Sequence, residues 1–435
     1  MNTPLAERDK KVIWHPFTKQ FNQNLPIAIS KAKDSILYNE DGAAYIDAIS
    51  SWWVTIHGHS NEYIAKKIYE QALKVEQVIF AGFTHQPAVD LAEKLLPILP
   101  NNFDKIFYSD NGSTSVEVAI KMCLQFWANE NTNNESINGL NIHHLRKKIL
   151  AFNNSYHGDT FGGMSVSDRS VFTAAFKDYL FDVVFIDVPS ENNITQLVNF
   201  IKTTGNEFAA FIYEPLVQGA GGICMYNAQF LDELLFAIKQ QHIICIADEV
   251  MTGFGRTGKL FASEYVTNKP DIICLSKGLT GGTMALGVTA CTLKIYEAFV
   301  SSNVYKTFFH GHSFTANPLA CSAALASLEL FEINDSLKKI HWISHQNQIF
   351  VDKHSKQSIK KLFKNLRCLG TILAFEIVDG KDEYLNNIAQ TITQKALENG
   401  IYIRPLGNTV YIMPPYCICE DELQKVYVFL ESLMY

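Results

Sequence analysis

Ile243-Ile244-Cys245-Ile246-Ala247-Asp248-Glu249 and Asp271-Ile272-Ile273-Cys274-Leu275-Ser276-Lys277-Gly278 are the two stretches that decide the fold. Each is a short apolar run that ends on a charged side chain. Runs of this length with no polar alternation fit strands buried on both faces of a parallel sheet. Gly278 and the pair Gly281-Gly282 then break the second run. In open sheets covered by helices, ligands bind outside the carboxyl ends of the strands. Asp248 and Lys277 fall at two successive ends of that kind.

The same alternation continues outward, from about residue 85 to about residue 300. Candidate strands are Lys105–Tyr108, Lys148–Phe152, Val183–Asp187, Ala209–Glu214, Ile243–Asp248, Ile272–Leu275 and Gly287–Cys291. Amphipathic stretches such as Thr114–Ala128 and Asn227–Gln240 read as helices between them. Strands alternating with helices predict an α/β fold with a mostly parallel, seven-stranded sheet. Beyond about residue 320 the pattern changes. A helix over Pro318–Ile333 leads to a smaller α+β region that holds Ile372–Val378 and the run Ile401–Pro415. The expected division is a large domain, residues 56–318, and a small carboxyl-terminal domain, residues 319–435, joined by an amino-terminal segment, residues 1–55. The Asn-rich stretch Asn129–His144 reads as a surface loop with no function assigned.

Composition excludes several classes. A formal net charge of −7 and no basic stripe argue against nucleic-acid binding. No apolar run approaches the ~18 residues a membrane helix needs. The amino terminus lacks the apolar core of a signal peptide. Nine cysteines are dispersed without a C-x-x-C pair, which fits reduced, buried thiols and a cytoplasmic protein. His57-Gly58-His59 and His310-Gly311-His312 lack carboxylate or Cys partners at ligand spacing, so no metal is expected.

A Lys and an Asp at neighbouring strand ends suit pyridoxal phosphate. The Lys holds the cofactor's aldehyde, and the Asp keeps the pyridine nitrogen protonated. The freed amine then carries the proton from the substrate's Cα. Asp110-Asn111-Gly112-Ser113-Thr114-Ser115-Val116-Glu117 offers a phosphate seat, with a Gly, hydroxyl donors and a helix start. Thr114 and Glu117 have the spacing of a capping box. Tyr156-His157-Gly158-Asp159 has two readings: an aromatic laid over a cofactor ring, or a turn stabilised by Asp159. Gly253-Phe254-Gly255-Arg256-Thr257-Gly258 matches G-x-G-x-x-G. Glu249, Val250, Met251 and Thr252 separate it from the strand and no helix start follows, which argues against a dinucleotide site. Ser51-Trp52-Trp53 reads as core or as a wall for an elongated substrate. Arg404, at the end of Ile401-Tyr402-Ile403, takes a substrate carboxylate or a strand-end salt bridge.

Together these residues resemble the class III pyridoxal-phosphate aminotransferases, of fold type I. The central signature runs from Ile246-Ala247-Asp248-Glu249-Val250 through Gly253–Gly258 to Leu275-Ser276-Lys277-Gly278. Trp14-His15-Pro16-Phe17-Thr18, Ser51-Trp52-Trp53, Tyr156–Phe161, Glu214–Gly222, His310-Gly311-His312-Ser313-Phe314 and Ile403-Arg404-Pro405 are similar to the branch that aminates 8-amino-7-oxononanoate in biotin synthesis. The resemblance implies a catalytic Lys277, Asp248 and Tyr156, with the phosphate held by Gly112 and Ser113. It implies a homodimer in which His312 and Ser313 reach the partner's phosphate. It implies substrate contacts from Phe17, Trp52, Tyr156, Gly311 and Arg404, and an amino donor that is S-adenosylmethionine or lysine. Phe17 stands where that branch usually has Tyr, His312 where Pro is common and Ser313 where Thr is common. The same signature also allows an aminotransferase for an ω-amino acid such as 4-aminobutyrate or ornithine. A cofactor-binding protein without turnover is the reading outside enzymes, and no residue favours it.

Overall fold

Seven strands hydrogen-bond in the order Phe103–Ser109, Gly287–Thr292, Ile272–Leu275, Ile244–Asp248, Phe208–Tyr213, Lys148–Phe152 and Val183–Ile186. The computed structural model that shows this describes residues 4–21, 24–130, 136–137, 140–141, 146–355, 362–378 and 388–434. Gly287–Thr292 runs antiparallel to both neighbours, and the other pairings are parallel. The three central strands, from Phe208, Ile244 and Ile272, are buried along their whole length. This is why they read as unbroken apolar runs rather than alternating ones.

Helices cover both faces. On one face the helix Gly112–Glu130 packs Val116, Ala119, Ile120 and Cys123 with Ile246, Ile272 and Cys274. On the other, Ala228–Gln240 presses Leu231, Leu234 and Leu235 into an apolar cluster that runs from Ile46 to Met434. Observed ends differ from the sequence expectation by a residue or two, as terminal turns and strand ends do. The helix expected over Thr114–Ala128, for instance, begins at Gly112 and ends at Glu130.

A four-stranded sheet joins distant parts of the chain. Ile29–Lys33, Ile36–Asn39 and Ala44–Asp47 form a meander, and Ile401–Tyr402 adds parallel to Ala44–Asp47. Phe363–Leu369, Ile372–Ile377 and Thr409–Ile412 form a separate antiparallel sheet. Of the Asn-rich stretch, Asn129 and Glu130 complete a helix, and Ser136–Ile137 pairs with Leu140–Asn141. The rest of it lies outside the described residues. Among the described residues no helix is long and apolar enough to cross a membrane. Nor do three His, Cys, Asp or Glu side chains among them gather as metal ligands.

Register sets the site. Ile246 pairs with Ile272 and Asp248 with Cys274, so the two strands end side by side. Asp248 is the last residue of its strand, and Lys277 opens the short 3-10 turn Lys277–Thr280 just past its neighbour.

Candidate active site

A cavity of about 720 Å³ opens at these strand ends, lined among others by Gly112, Ser113, Tyr156, His157, Asp248 and Lys277. Lys277 has φ +42°, a left-handed conformation that costs a non-Gly residue about 1–3 kcal/mol. Its Nζ lies 4.7 Å from the centroid of the Trp53 ring. Burial pushes the ammonium below its usual range, while Asp248 and Glu214 pull it back up and Arg256 pushes it down. A desolvated lysine of this kind offers a neutral amine more readily than a surface one.

Asp248 is 5% exposed. The Val250 N–H donates to its Oδ1 at 3.1 Å, and His157 Nδ1 lies 2.7 Å from its Oδ2. His157 is itself fixed by its backbone N–H, which donates to Ser167 Oγ at 2.8 Å. The His157 contact holds the carboxylate at one angle to the cavity, and sequence reading missed it. Glu214 was missed too, although it directly follows the strand Phe208–Tyr213. Its Oε2 accepts from the Tyr156 N–H at 3.1 Å and its Oε1 from the Gly219 N–H at 2.8 Å. Burial pushes it up to about 7, with His157 and the two backbone donors opposing and Asp248 reinforcing. The strand-end criterion that singled out Asp248 and Lys277 would have found it.

The expected seat at Gly112 is a helix start, but not through the capping box. Asn111 Oδ1 accepts from the Thr114 N–H at 3.0 Å and so caps the helix, and the Thr114 hydroxyl donates to Asp110 Oδ1 at 2.8 Å. Glu117 faces away and accepts from the Gly162 N–H at 2.7 Å. The Gly112 and Ser113 N–H groups, ahead of the capped Thr114, have no acceptor among the described residues and remain open to an anion. Close packing requires Gly at two positions here. A Cβ on Gly112 would meet Val250 Cγ1 at 2.7 Å, and one on Gly158 would meet Ser113 Oγ at 2.1 Å.

The turn reading of Tyr156 holds, and the residue also faces the cavity. Its hydroxyl donates to Asp159 Oδ2 at 2.9 Å. Burial raises its phenol well above the usual range, with Asp159 adding to the shift, so the hydroxyl stays protonated. A second cavity, of about 1000 Å³, shares Tyr156, Gly158 and Asp159 with the first and reaches Phe172.

The remaining candidates stand further out. Trp53, not Trp52, lines the Lys277 cavity. Trp52 packs edge-on to Phe17 at 5.4 Å, and Phe17 packs edge-on to Phe172 at 5.8 Å. The Arg404 guanidinium lies 4.8 Å over the Trp52 ring. It makes no ion pair among the described residues, and the strand-end salt bridge is not seen among them. Gly311, His312 and Ser313 do not line their own chain's cavity. His312 Nε2 is buried with no hydrogen-bond partner among the described residues.

The G-x-G-x-x-G stretch has a structural explanation. The buried Arg256 guanidinium donates to the carbonyls of Pro414 at 2.9 Å and Trp53 at 3.3 Å. It ties the aromatic pair to the carboxyl-terminal region.

The chain matches the family Aminotransferase class-III over residues 17–434. It is 42% identical over 433 residues to the adenosylmethionine-8-amino-7-oxononanoate aminotransferase of Synechococcus elongatus, covering 97% of this chain and 98% of that protein. This protein belongs to the class III aminotransferases. The Helicobacter pylori enzyme of the same name is 36% identical, covering 99% of this chain and 97% of that one. The crystal structure of the Methanocaldococcus jannaschii enzyme of that name superposes with a TM-score of 0.89 at 32% identity, covering 99% of each chain. Class III aminotransferases use pyridoxal 5′-phosphate, and the lining fits it. The cavity presents the two open N–H groups of a helix start and a Ser that would suit the phosphate, a buried carboxylate that would suit the ring nitrogen and a desolvated amine that would suit the aldehyde.

Proposed function

We propose that this aminotransferase moves an amino group from S-adenosylmethionine, with lysine as the alternative donor, to the ketone of 8-amino-7-oxononanoate. The product is 7,8-diaminononanoate, for biotin synthesis. The observation that carries the transfer chemistry is the desolvated Lys277 amine beside Asp248 in one cavity. Full-length similarity to relatives named for that reaction supports the substrate.

Bound pyridoxal phosphate supplies the electron sink that lets a Cα–H bond break, and it stores the amino group between two half-reactions. Lys277 anchors the cofactor's aldehyde and, once displaced, takes the proton from the donor's Cα. Asp248, angled by His157, keeps a proton on the ring nitrogen. Gly112 and Ser113 hold the phosphate at the helix start. Tyr156 covers the ring and, with Asp159 on its hydroxyl, faces the substrate.

Phe17, Trp52 and Gly311 wall the substrate's path, and Arg404 takes the keto acid's carboxylate in two parallel hydrogen bonds. His312 and Ser313 serve the phosphate of the partner subunit in a homodimer whose sites lie at the interface. The unpaired His312 Nε2 and the exposed Phe309 and Phe314 on that segment support this assembly. The chain acts in the cytoplasm. It divides into a large cofactor domain, 56–318, and a small domain, 319–435, that the segment 1–55 joins through the Ala44–Asp47 pairing.

The test is direct. Purified holoenzyme given 8-amino-7-oxononanoate with adenosylmethionine, or separately with lysine, forms 7,8-diaminononanoate by mass spectrometry with one of the two. No product with either donor, together with turnover of 4-aminobutyrate or ornithine, would overturn the assignment.

A further inference from the structure

We infer that His57 and Ser327 form a buried, one-directional hydrogen-bond relay that positions the Lys277 turn. His57 Nε2–H donates to Ser327 Oγ, and the Ser327 hydroxyl donates to the carbonyl of Gly278. The inference rests on the reading of Lys277 as the cofactor's anchor. It adds two positioning residues that lie outside the cavity lining.

The geometry is as follows. His57 Nε2 is 3.1 Å from Ser327 Oγ, and Ser327 Oγ is 3.3 Å from the Gly278 oxygen. Ser327 is fully buried and His57 is 6% exposed. The Gly278 carbonyl also accepts the Gly281 N–H at 3.0 Å. One carbonyl, next in chain to Lys277, is therefore held both from inside the turn and from the helix Pro318–Ile333.

That turn needs holding. It opens on Lys277 at φ +42° and closes on Gly281 at φ +62°. A side-chain-bearing residue stays in this region only where its surroundings over-determine it. Ser327 supplies one such restraint from a buried helix face that also carries Ala320, Ala323, Ala324 and Leu330.

The direction of the relay follows from the protons available. Burial pushes His57 down to about 4, so its ring is neutral at pH 7 and carries a single N–H. The Ser327 proton is committed to Gly278, which leaves the Ser327 oxygen as an acceptor and places the imidazole proton on Nε2. The Phe331 ring, edge-on at 5.3 Å, fixes the plane of the imidazole.

The experiment uses holoenzyme variants Ser327→Ala, His57→Gln and His57→Leu, with Ser322→Ala as control. Ser322 sits on the same helix, but its hydroxyl donates to the Lys67 carbonyl at 3.1 Å, away from the turn. Each is assayed for kcat and KM, for the pH titration of the cofactor's absorbance, and for apo-protein melting. We expect Ser327→Ala to lower kcat about tenfold with KM changed by less than about twofold, because it displaces the reacting amine rather than the binding site. Its absorbance titration moves as well. His57→Gln, which keeps a donor, stays near wild type, and His57→Leu matches Ser327→Ala. Ser322→Ala lowers only the melting temperature.

Wild-type kcat and titration in Ser327→Ala would overturn the relay, as would equal losses in Ser322→Ala. Should Ser327→Ala fail to fold, the His57 pair decides: equal behaviour of Gln and Leu defeats the relay. Borohydride reduction with peptide mass mapping separates the two levels. A label elsewhere than Lys277 defeats the anchor reading itself, whereas a label on Lys277 with indifferent variants defeats only the relay.

Discussion

The floor of the cavity and its mouth are built by opposite rules. At the floor, Asp248, Glu214 and the Lys277 turn sit at the ends of buried strands, and their groups are held by contacts within the chain. At its proposed mouth, Phe17 is 47% exposed, Trp52 is 36% exposed, and Arg404 rests on an indole with no ion-pair partner among the described residues. The floor is dry, so charge there is strengthened and proton affinities move. The proposed mouth is wetter, and its guanidinium and edge-packed aromatics are surfaces for a ligand to complete. The proposed reading therefore places the reaction at the floor and the choice of substrate on a few adaptable side chains at the mouth.

The largest test of this division is Lys277→Ala. If the floor carries the chemistry, product formation falls by about 10³-fold or more, since one group is both anchor and proton carrier. Borohydride then fixes no cofactor to the chain. Retained turnover would place the chemistry somewhere other than the strand ends.

Glu214→Gln sharpens the contrast in dryness. Glu214 is raised from 4.5 to about 7 in the folded protein. The folded state therefore holds an extra proton between those values. The stability this contributes is fully present below about pH 4.5 and is lost as the pH rises through about 7. The shift corresponds to about 3 kcal/mol. Melting curves of apo-protein at pH 5 and pH 8 should show wild type losing stability relative to Glu214→Gln at the higher pH. Parallel pH dependence in the two proteins would mean that the floor is better hydrated than its burial indicates.

How far the sequence reveals all this divides along the same line. The central strands were readable because burial on both faces leaves only apolar residues, and a charged residue at such an end is conspicuous. Asp248 and Lys277 are found that way, and Glu214 obeys the same rule. His157 on Asp248 and Ser327 on Gly278 are not readable, because each depends on how distant segments cross in space. The capping box at Thr114 and Glu117 shows the reverse failure. Its spacing was correct, but Asp110 engages the Thr114 hydroxyl and Gly162, 45 residues further along, engages Glu117. At the mouth, Trp52 and Trp53 are adjacent in sequence, yet a backbone with positive φ at Ser51 and Trp53 sends them to different places. No periodicity predicts that.

Arg404 tests the mouth. With no ion-pair partner among the described residues, its guanidinium is available to a substrate's carboxylate. Arg404→Ala should lower kcat/KM for 8-amino-7-oxononanoate about 10- to 100-fold, in line with the ~1.5–3 kcal/mol of a hydrogen bond to a charged group. The loss should lie mainly in KM, because the contact is the same in ground and transition states. Arg404→Lys should recover only part, lacking the planar fork and the stacking on Trp52. A pure kcat effect would move Arg404 from the mouth to the floor.

The smallest effect belongs to Phe17. Its ring packs edge-on between Trp52 and Phe172, which lines the second cavity, and brings no hydroxyl there. Phe17→Tyr adds one hydrogen-bonding group to a half-exposed aromatic without changing its shape. A new hydrogen bond to a bound donor is worth about 0.5–1.5 kcal/mol, or roughly two- to tenfold. The gain should fall on one amino donor and not on the other, so the informative quantity is the ratio of kcat/KM for adenosylmethionine to that for lysine. A ratio that rises in Phe17→Tyr, with the rate toward 8-amino-7-oxononanoate unchanged, makes this side chain a selector of the donor at the mouth. Equal gains for both donors would show that position 17 tunes the opening as a whole. Donor choice would then have to be sought deeper, among Tyr156, Gly158 and Asp159, which the two cavities share.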